Sequence, residues 1–207
     1  MIDKSIEYKD IVMVMNGETA LSTAVPTLPS GFSFRFFTDE EDIAHWARIE
    51  ASVDEFDNEE QARTHFIKEF GDNLTALTQR CVFVINPSGI PVATAMGWFG
   101  NTHSQPTNRL HWIAVCPQAQ GIGLGKAVSQ MAVQVCASLS PGEDVWLSTQ
   151  TWSHRAVLMY NKLGFVMAKT KLGLEKDVYV ADFEDAIKVL GKVLPAEDVA
   201  RLADTAV

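Results

Sequence analysis

Alternating and continuous hydrophobic positions predict a series of short strands along the chain. Phe32–Phe36 alternates apolar and polar residues as a half-buried strand does. Cys81–Ile85 is apolar, the turn residues Asn86–Gly89 follow, and Ile90–Trp98 returns, so this stretch predicts a hairpin. Further strands are predicted at residues 8–15, 110–117, 145–150, 165–171 and 177–181. Residues 16–31 are rich in Thr, Ser, Pro and Gly and are predicted to form a linker.

Helical spacing of apolar residues predicts helices between these strands. Thr38 and Glu41 have the spacing of a capping box, so a helix is expected to begin there and run to about Val53. Asn58 is predicted to cap a second helix, with three apolar residues on one face: Ala62, Phe66 and Phe70. Later helices are predicted at residues 126–139, 153–163, 183–193 and 196–203.

A glycine-rich turn lies between the strand at 110–117 and the helix at 126–139. It reads Gln120-Gly121-Ile122-Gly123-Leu124-Gly125. The first N–H groups of a helix have no partner within the helix, and its N-terminus carries a partial positive charge. Because glycines let that backbone approach an anion closely, the turn predicts a site for a phosphorylated cofactor.

Two common phosphate-binding motifs fit this turn poorly. A Walker A loop needs a glycine where Gln120 stands and a hydroxyl where Ala127 stands. A dinucleotide-binding turn needs the spacing G-x-G-x-x-G and an acidic residue at the end of the next strand. Here the spacing is G-x-G-x-G, and that strand ends in Thr149 and Gln150.

The turn does fit a third pattern, Q/R-x-x-G-x-G/A, and Val115-Cys116-Pro117 precedes it as Val-x-Pro. One helix and one strand later, Ser153 to Phe165 reads SHRAVLMYNKLGF, which is similar to N-x-x-A-x-x-L-Y-x-K-x-G-F. With both patterns in this order, the chain resembles the GNAT N-acetyltransferase superfamily over about 150 residues.

The resemblance implies an α/β (α+β) fold with a mixed, mostly antiparallel central sheet flanked by helices. The element order β-α-α-β-β-β-α-β-α-β-β is expected over an acetyltransferase domain at residues 32–181. Residues 1–31 then form an N-terminal extension, with a short strand and a linker, and residues 182–207 form a C-terminal helical extension. Each extension has three possible roles: packing on the domain, a dimer contact, or shaping the substrate site.

The resemblance also implies acetyl-CoA as the donor, with its pyrophosphate on the glycine loop and no metal. Lys126 either meets a phosphate or is solvated. Ser153 stands where the family has asparagine and is also a good helix N-cap, so His154 is a candidate to take over the cofactor contact. The cofactor-binding residues expected from the resemblance are Ile113, Ala114, Val115, Gln120, Gly121, Ile122, Gly123, Leu124, Gly125, Lys126, Ser153, His154, Ala156 and Tyr160.

Acetyl transfer to an amine needs a proton acceptor for the amine, a polarised carbonyl and a stabilised thiolate. By resemblance, the backbone around Ala114 polarises the carbonyl. Tyr160 matches the family tyrosine near the cofactor sulfur, and its phenol, with a pKa of about 10, can protonate the thiolate. His111 matches a histidine that members acetylating arylalkylamines use near the amine, and it is the candidate base. The alternatives are a packed helix aromatic for Tyr160 and a half-buried strand histidine for His111.

Two carboxylates on the first predicted helix are candidates for substrate binding. Glu50 and Asp54 project within an apolar stripe, where an unpaired charge is costly and a cationic amine is a suitable partner. The stripe consists of Ile43, Trp46, Ala47, Glu50, Val53 and Asp54. In the family this helix and the following turn border the acceptor site. Alternatively, the helix ends near Ala51 and Asp54 lies in a solvated turn.

Composition limits the other classes of function. The formal net charge of −9 argues against nonspecific nucleic-acid binding; it favours a cationic substrate or simply solubility. No apolar run approaches the length of a membrane span, and no signal-peptide core is expected. Cys81, Cys116 and Cys136 are scattered and lack metal spacing, so reduced thiols and a cytoplasmic location are expected. Cys116, beside the cofactor loop, is expected to be an apolar filler rather than a nucleophile.

The sequence therefore predicts an N-acetyltransferase that passes the acetyl group of acetyl-CoA directly to a primary amine. The alternative is a CoA- or acyl-CoA-binding sensor or scaffold without turnover. The acceptor is a small molecule or a peptide, and the loops 51–60 and 100–108 are expected to select it. No nucleic-acid or membrane partner is expected, and the chain is expected to be a monomer or a homodimer.

Overall fold

The fold is known from a computed structural model that describes residues 2–102, 105–169, 172–173, 178–179 and 183–207. Its contacts divide the chain into two compact units. The first unit comprises Ala24–Trp98 and Leu110–Cys136. The second unit comprises Ile2–Thr23, Phe99–Arg109 and Ala137–Val207.

A mixed, mostly antiparallel sheet is the framework of the fold. The strands in the described ranges are β1 (Asp10–Met15), β2 (Ser33–Phe36), β3 (Cys81–Ile85), β4 (Pro91–Thr102), β5 (Gln105–Val115), β6 (Val145–Gln150), β7 (Val166–Met167), β8 (Leu172–Gly173) and β9 (Val178–Tyr179). Seven of them form one sheet in the order β2-β3-β4-β5-β6-β1-β7, and β8 pairs with β9 separately. The pairs β2/β3, β3/β4, β1/β6 and β1/β7 are antiparallel, whereas β5 and β6 are parallel. The predicted fold class is confirmed.

Helices connect and flank these strands. They are α1 (Gly17–Leu21), α2 (Glu41–Ala51), α3 (Glu59–Phe70), α4 (Leu74–Arg80), α5 (Leu124–Leu139), α6 (His154–Leu163), α7 (Phe183–Leu190) and α8 (Ala196–Asp204). Short 3-10 turns occupy Gly71–Asn73, Pro117–Ala119 and Thr151–Ser153. Among the described residues, no helix has both the length and the apolar composition needed to cross a membrane.

The sequence pattern missed two of these helices. Helix α1 lies inside the segment predicted to be a linker, and the Asn16 side chain caps it by accepting from the Thr19 N–H at 2.8 Å. Helix α4 follows α3 after a single 3-10 turn and ends at Arg80, immediately before β3. Both helices have fewer than eight residues, too few to display a clear helical period.

The predicted capping box at the start of α2 is wrong. The N-cap position is Glu40, whose side chain makes no capping hydrogen bond. Thr38 instead donates its N–H and its hydroxyl to the buried carboxylate of Asp42, at 2.8 and 2.9 Å. Arg35 on β2 donates to both oxygens of Asp42 at 2.8 and 2.6 Å. Because Arg35 donates to both carboxylate oxygens, Asp42 rather than Glu41 is the acidic residue that bonds to Thr38 at the start of α2.

The end of α2 and the loop at 100–108 also differ from the sequence prediction. Helix α2 ends at Ala51, two residues before Val53, and Asp54 has a φ of +66° in the turn that follows. Strand β4 extends to Thr102 and β5 begins at Gln105, so most of the predicted polar loop is strand; residues 103–104 lie outside the described ranges.

Strand β1, from the predicted N-terminal extension, occupies an interior position in the sheet. It pairs with β6 from Asp10↔Gln150 to Met15↔Val145 and with β7 at Met13↔Met167. Its residues from Ile11 to Met15 are all buried, which indicates cover on both faces. The last strand predicted, at 177–181, is described only at Val178–Tyr179, where it forms β9.

The apolar core of the first unit lies between α2, α3 and the strands. The predicted inward face of α3 is confirmed, because Ala62, Phe66 and Phe70 are fully buried. Trp46 of α2 packs edge-on against Phe66, with ring centroids 5.0 Å apart. Trp112 of β5 reaches this core and packs edge-on against Trp46, with the centroids 5.3 Å apart. The core therefore fixes α2 and α3 beside the C-terminal half of β5.

Candidate functional site

The glycine loop joins β5 to α5 in the first unit. Gly121 and Gly123 have φ values of +82° and +93°, a left-handed conformation that other residues rarely adopt. A Cβ atom built on either glycine meets no atom of the described residues within 4 Å. The glycines are therefore needed for the backbone conformation, and the space beside them is open to a ligand.

Hydrogen bonds and packing hold this loop in position. The Gln120 side chain donates from Nε2 to the Val115 carbonyl at 2.8 Å, which ties the loop to the end of β5. The Ala127 N–H donates to the Gly123 carbonyl at 3.1 Å and begins the helical pattern of α5. Leu124 and Val128 are buried and anchor the first turns of α5, whereas Lys126 is exposed. These contacts hold the N-terminus of α5, and the N–H groups that have no partner within the helix, beside the glycine loop.

The end of β5 carries the backbone predicted to polarise the thioester. Ala114 is buried, and Ile113 and Val115 are half-buried. The parallel ladder between β5 and β6 consists of Asn108↔Val145 and Arg109↔Trp146 in the described residues. Cys116 follows, fully buried, and its N–H donates to the Val92 carbonyl at 2.8 Å. This buried position agrees with a packing role for the Cys116 thiol.

His111 belongs to a hydrogen-bond network centred on Glu69 of α3. His111 Nε2 lies 2.7 Å from Glu69 Oε1, and Trp112 Nε1 donates to Glu69 Oε2 at 3.0 Å. His65, one turn before Glu69, places its Nε2 2.9 Å from the same Oε2. Burial favours a raised pKa for Glu69, but the hydrogen bond and charge of His111, then the bonds from Trp112 and His65, outweigh it. The pKa of Glu69 is lowered to about 2.

The backbone of β5 is distorted where it meets this network. Trp112 has a φ of +48°, a conformation that costs a bulky residue about 1–3 kcal/mol. Successive side chains of a regular strand point to opposite faces. Here His111 and Trp112 are adjacent and both bond to Glu69, so the distortion brings two consecutive side chains to one carboxylate.

The two predicted substrate-binding carboxylates lie in different environments. Glu50 is 1 % exposed on α2, and among the described residues its Oε1 has no hydrogen-bond partner. Burial first, and the charge of Glu55 second, raise the pKa of Glu50 well above its ordinary value. Trp46, one turn earlier, has a buried Nε1 that is likewise unsatisfied in the described chain. Asp54 is exposed in the turn after α2, as the alternative interpretation held.

Tyr160 lies on α6 in the second unit. Its side chain is buried, and its ring packs edge-on against Phe165 with the centroids 6.1 Å apart. Gly164 ends the helix with a φ of +105°, and a Cβ there would lie 2.9 Å from the Thr19 side chain. Both the positive φ and the close Thr19 side chain therefore require glycine at position 164. The Phe165 N–H donates back to the Tyr160 carbonyl at 3.0 Å.

Ser153 and His154 begin the same helix. Ser153 is at the N-cap position but makes no side-chain capping bond; its hydroxyl accepts from Gln150 Nε2 at 3.3 Å. His154 has a buried Nδ1 without a hydrogen-bond partner in the described residues. Burial first, and Arg155 second, lower the pKa of His154, so its imidazole is neutral at pH 7. Ala156 is half-buried on the following turn.

The sequence analysis did not identify Glu69 as a partner of the candidate base His111. Its spacing from His65 is the i,i+4 spacing of a helical pair, which the sequence does display. Its bond to His111 spans 42 residues and has no local signal. Within the described ranges, no group of three or more His, Cys, Asp or Glu side chains is arranged to hold a metal.

Comparison with known families identifies the class of protein. Residues 40–165 match the acetyltransferase (GNAT) family model. The match covers more than half of the chain, so the chain belongs to the GNAT acetyltransferase family. This confirms the resemblance carried by the glycine loop and by the Ser153–Phe165 stretch. A comparison with curated proteins found no match.

Solved structures share the fold at low sequence identity. A GCN5-related N-acetyltransferase from Sphaerobacter thermophilus is 18% identical, with a TM-score of 0.58, and the alignment covers 78% of this chain and 49% of that one. A GNAT-family acetyltransferase from Colwellia psychrerythraea is 12% identical, with a TM-score of 0.58 and coverage of 80% and 55%. A tandem GNAT protein from the clavulanic acid biosynthesis pathway is 15% identical, with a TM-score of 0.56 and coverage of 79% and 51%. The chain thus spans about half the length of each of these three structures.

Proposed function

We propose that this chain is an N-acetyltransferase that passes the acetyl group of acetyl-CoA directly to a primary amine. The observation that carries the proposal is the glycine loop, with Gly121 and Gly123 in a left-handed conformation and open space beside both. A loop of this kind at a helix N-terminus suits a pyrophosphate, because its N–H groups and the helix dipole both attract the anion.

The remaining cofactor contacts are proposed from the two units separately. In the first unit, Gln120 to Lys126 hold the pyrophosphate, and the backbone N–H groups of Ile113, Ala114 and Val115 polarise the thioester carbonyl. In the second unit, Ser153, His154 and Ala156 contact the pantetheine arm. The buried Nδ1 of His154, which has no hydrogen-bond partner in the part of the chain that the structure describes, supports this, because such an atom suits a ligand amide.

The proton transfers are assigned to His111 and Tyr160. His111 takes the proton from the ammonium group of the acceptor, directly or through water, so that a neutral amine attacks the carbonyl carbon. The C–S bond of the tetrahedral intermediate then breaks, and the phenol of Tyr160 donates a proton to the leaving thiolate. The attacking nitrogen loses its extra proton as the amide forms, and that proton returns, through water, to the tyrosinate. Histidine suits the first role because its ordinary pKa of about 6.5 lies near neutral pH.

Glu50 and Asp54 are proposed to bind the acceptor. Glu50 Oε1 is buried and has no hydrogen-bond partner among the described residues, which supports a cationic amine as its partner. A charge-assisted hydrogen bond would offset the burial of both groups. Asp54, exposed after α2, suits an approach site for the same cation. The acceptor is a small molecule or a peptide, the chain acts as a monomer or homodimer, and its buried free cysteines support a cytoplasmic location.

The glycine loop is tested by calorimetric titration of acetyl-CoA into wild type and Gly123→Glu. Wild type is expected to bind at micromolar affinity and the variant to lose binding, because the new carboxylate opposes the pyrophosphate. Gly142→Glu is the matched control: Gly142 also has a positive φ, of +83°, and open space, and it follows the other end of α5. The control should lose similar stability but keep affinity. Full affinity in Gly123→Glu would refute the loop assignment.

Tyr160 is tested by the steady-state rate of Tyr160→Phe with a primary amine acceptor. Loss of a general acid should lower kcat about 10- to 1,000-fold while acetyl-CoA binding stays near wild type. Tyr8→Phe, which removes the exposed hydroxyl bonded to Asp10, serves as the control and should leave kcat unchanged. If kcat is unchanged in Tyr160→Phe, the role of Tyr160 is packing rather than proton donation. Acetyl-CoA binding without turnover of any amine would favour the sensor or scaffold alternative.

A further inference from the structure

We infer that Glu69 is a positioning residue for the proposed acetyl transfer, holding the His111 imidazole in place and strengthening it as a base. The inference rests on the proposed function, because it takes His111 as the proton acceptor. Neither the family pattern nor the composition of α3 marks Glu69. The inference comes from the contacts that its carboxylate makes.

The Glu69 carboxylate is clamped on both oxygens. Oε1 meets His111 at 2.7 Å, and Oε2 receives Trp112 Nε1 at 3.0 Å and faces His65 Nε2 at 2.9 Å. Three partners on two elements hold the carboxylate against His111, although its side chain is 30% exposed. A carboxylate held in this way also fixes the orientation of the histidine ring that bonds to it.

The backbone of β5 is shaped to make this arrangement. In a regular strand His111 and Trp112 would project to opposite faces, and only one of them could reach α3. The positive φ of Trp112 removes that alternation, and both side chains meet Glu69. Trp112 is the strained residue, and its hydrogen bond to Glu69 holds it in this conformation. Because Glu69 also bonds to His111, the conformation of β5 and the position of His111 depend on each other.

The charge of Glu69 makes His111 a stronger base. The pKa of Glu69, lowered to about 2, keeps the carboxylate ionised at physiological pH. An anion in hydrogen-bond contact stabilises the imidazolium form of a histidine. Glu69 faces His111 from α3 as an anion, and two neighbouring rings, Phe70 of α3 and Trp112 of β5, are uncharged. His65 is the other titratable side chain bonded to Glu69 in the described residues.

The test compares wild type with Glu69→Gln, which keeps the shape of the side chain and removes its charge. Two quantities are measured: the titration midpoint of His111 by NMR of its imidazole nitrogens, and the pH dependence of kcat/KM. Both the midpoint and the acid limb of the rate profile should move to lower pH by about 1 unit, because the imidazolium loses its anion. The plateau of kcat/KM should fall, since a weaker base accepts the proton less well.

Asp72→Asn, which removes the charge of an exposed carboxylate in the 3-10 turn directly after α3, is the matched control and should change neither quantity. Glu69→Asp keeps the charge but withdraws it from His111, and its midpoint should lie between those of wild type and Glu69→Gln. If Glu69→Gln does not fold, Glu69→Asp still tests whether the charge of Glu69 raises the titration midpoint of His111.

The possible outcomes separate the two proposals. An unchanged midpoint and acid limb in folded Glu69→Gln, or in Glu69→Asp if only that variant folds, would overturn the role of Glu69 while leaving acetyl transfer intact. A shifted midpoint with an unshifted acid limb would show that His111 is not the base, which also overturns the inference. Absence of turnover in wild type would overturn the proposed function, and the positioning role with it.

Discussion

At the scale of a single residue, burial of Glu50 makes the stability of the fold depend on pH. Its pKa is raised, chiefly by burial, so folding favours the protonated carboxyl. Between the unfolded and folded pKa values the folded state holds a proton that the unfolded chain has released. The free energy of unfolding therefore falls as pH rises through that window.

Glu50→Gln should remove this pH dependence and stabilise the fold. The gain in melting temperature is expected to be larger at pH 8 than at pH 5, because the wild-type carboxyl is costly only where the unfolded chain is ionised. Glu55→Gln should give a smaller gain in the same direction, since the charge of Glu55 raises the pKa of Glu50. Thermal melts at the two pH values measure both effects, and a gain that is equal at pH 5 and pH 8 would contradict the assignment.

The same substitution tests the proposed role of Glu50 in binding the acceptor. If its carboxylate pairs with the ammonium group of the substrate, Glu50→Gln should raise the KM for the amine by about 10-fold, the value of one charge-assisted hydrogen bond. The KM for acetyl-CoA should stay constant. A stabilised variant with unchanged amine KM would leave Glu50 without a role in acceptor binding.

The sequence predicts part of the candidate site at this scale. Gly121 and Gly123 were identifiable because a phosphate-binding turn requires glycines at fixed spacing. Glu50 was identifiable because a carboxylate within an apolar stripe needs a partner. Glu69 was not, since its bond to His111 depends on how α3 packs against β5. The positive φ of Trp112 was also invisible, because nothing in its residue type favours that conformation.

At the scale of an element, the start of α2 depends on Asp42. Burial favours a raised pKa for Asp42, but Arg35 and then Thr38 outweigh it through hydrogen bonds, so the pKa is lowered and the carboxylate is ionised. Asp42→Asn should lower the free energy of unfolding by roughly 2 kcal/mol, because the charged hydrogen bonds to Arg35 and Thr38 are weakened. Urea denaturation measures the loss.

Glu41→Gln is the control for this prediction. Glu41 is exposed and was the partner expected from the capping box, yet it should change stability by less than about 0.5 kcal/mol. Equal losses in the two variants would mean that helix-terminal charge in general, rather than the Arg35–Asp42 pair, stabilises the start of α2.

Elements with a clear hydrophobic period were predictable, and short or locally ambiguous elements were not. Strands β2, β3 and β6 and helices α3 and α5 lie within two residues of their predicted positions, since each shows the period of its class. Helices α1 and α4 were missed, because five and seven residues display less than two turns of pattern. The extension of β4 and β5 through a polar stretch reflects pairing, which residue type alone does not encode.

For the whole molecule, the sequence predicted the fold class and the family but not the position of every strand. Two motifs in the right order were sufficient to predict the family. The glycine loop alone is a weak signal, but together with the Ser153–Phe165 stretch it is specific. The place of β1 between β6 and β7 was not predictable, because neighbours in a sheet need not be neighbours in sequence. A strand was predicted at residues 8–15, and Asp10–Met15 is one, but its partners lie far along the chain.

This arrangement has a consequence during synthesis on the ribosome. β1 ends at Met15, whereas its two partner strands begin only at Val145 and Val166, so β1 leaves the ribosome before either partner. At translation rates of about 5–20 residues per second, β1 waits on the order of 10 s for its first neighbour. Throughout that delay the nascent chain displays the apolar sequence DIVMVM with both edges unpaired, a segment suited to aggregation or to capture by a chaperone. β1 can therefore pair only after β6 and β7 have been made, through contacts of high sequence separation that form slowly.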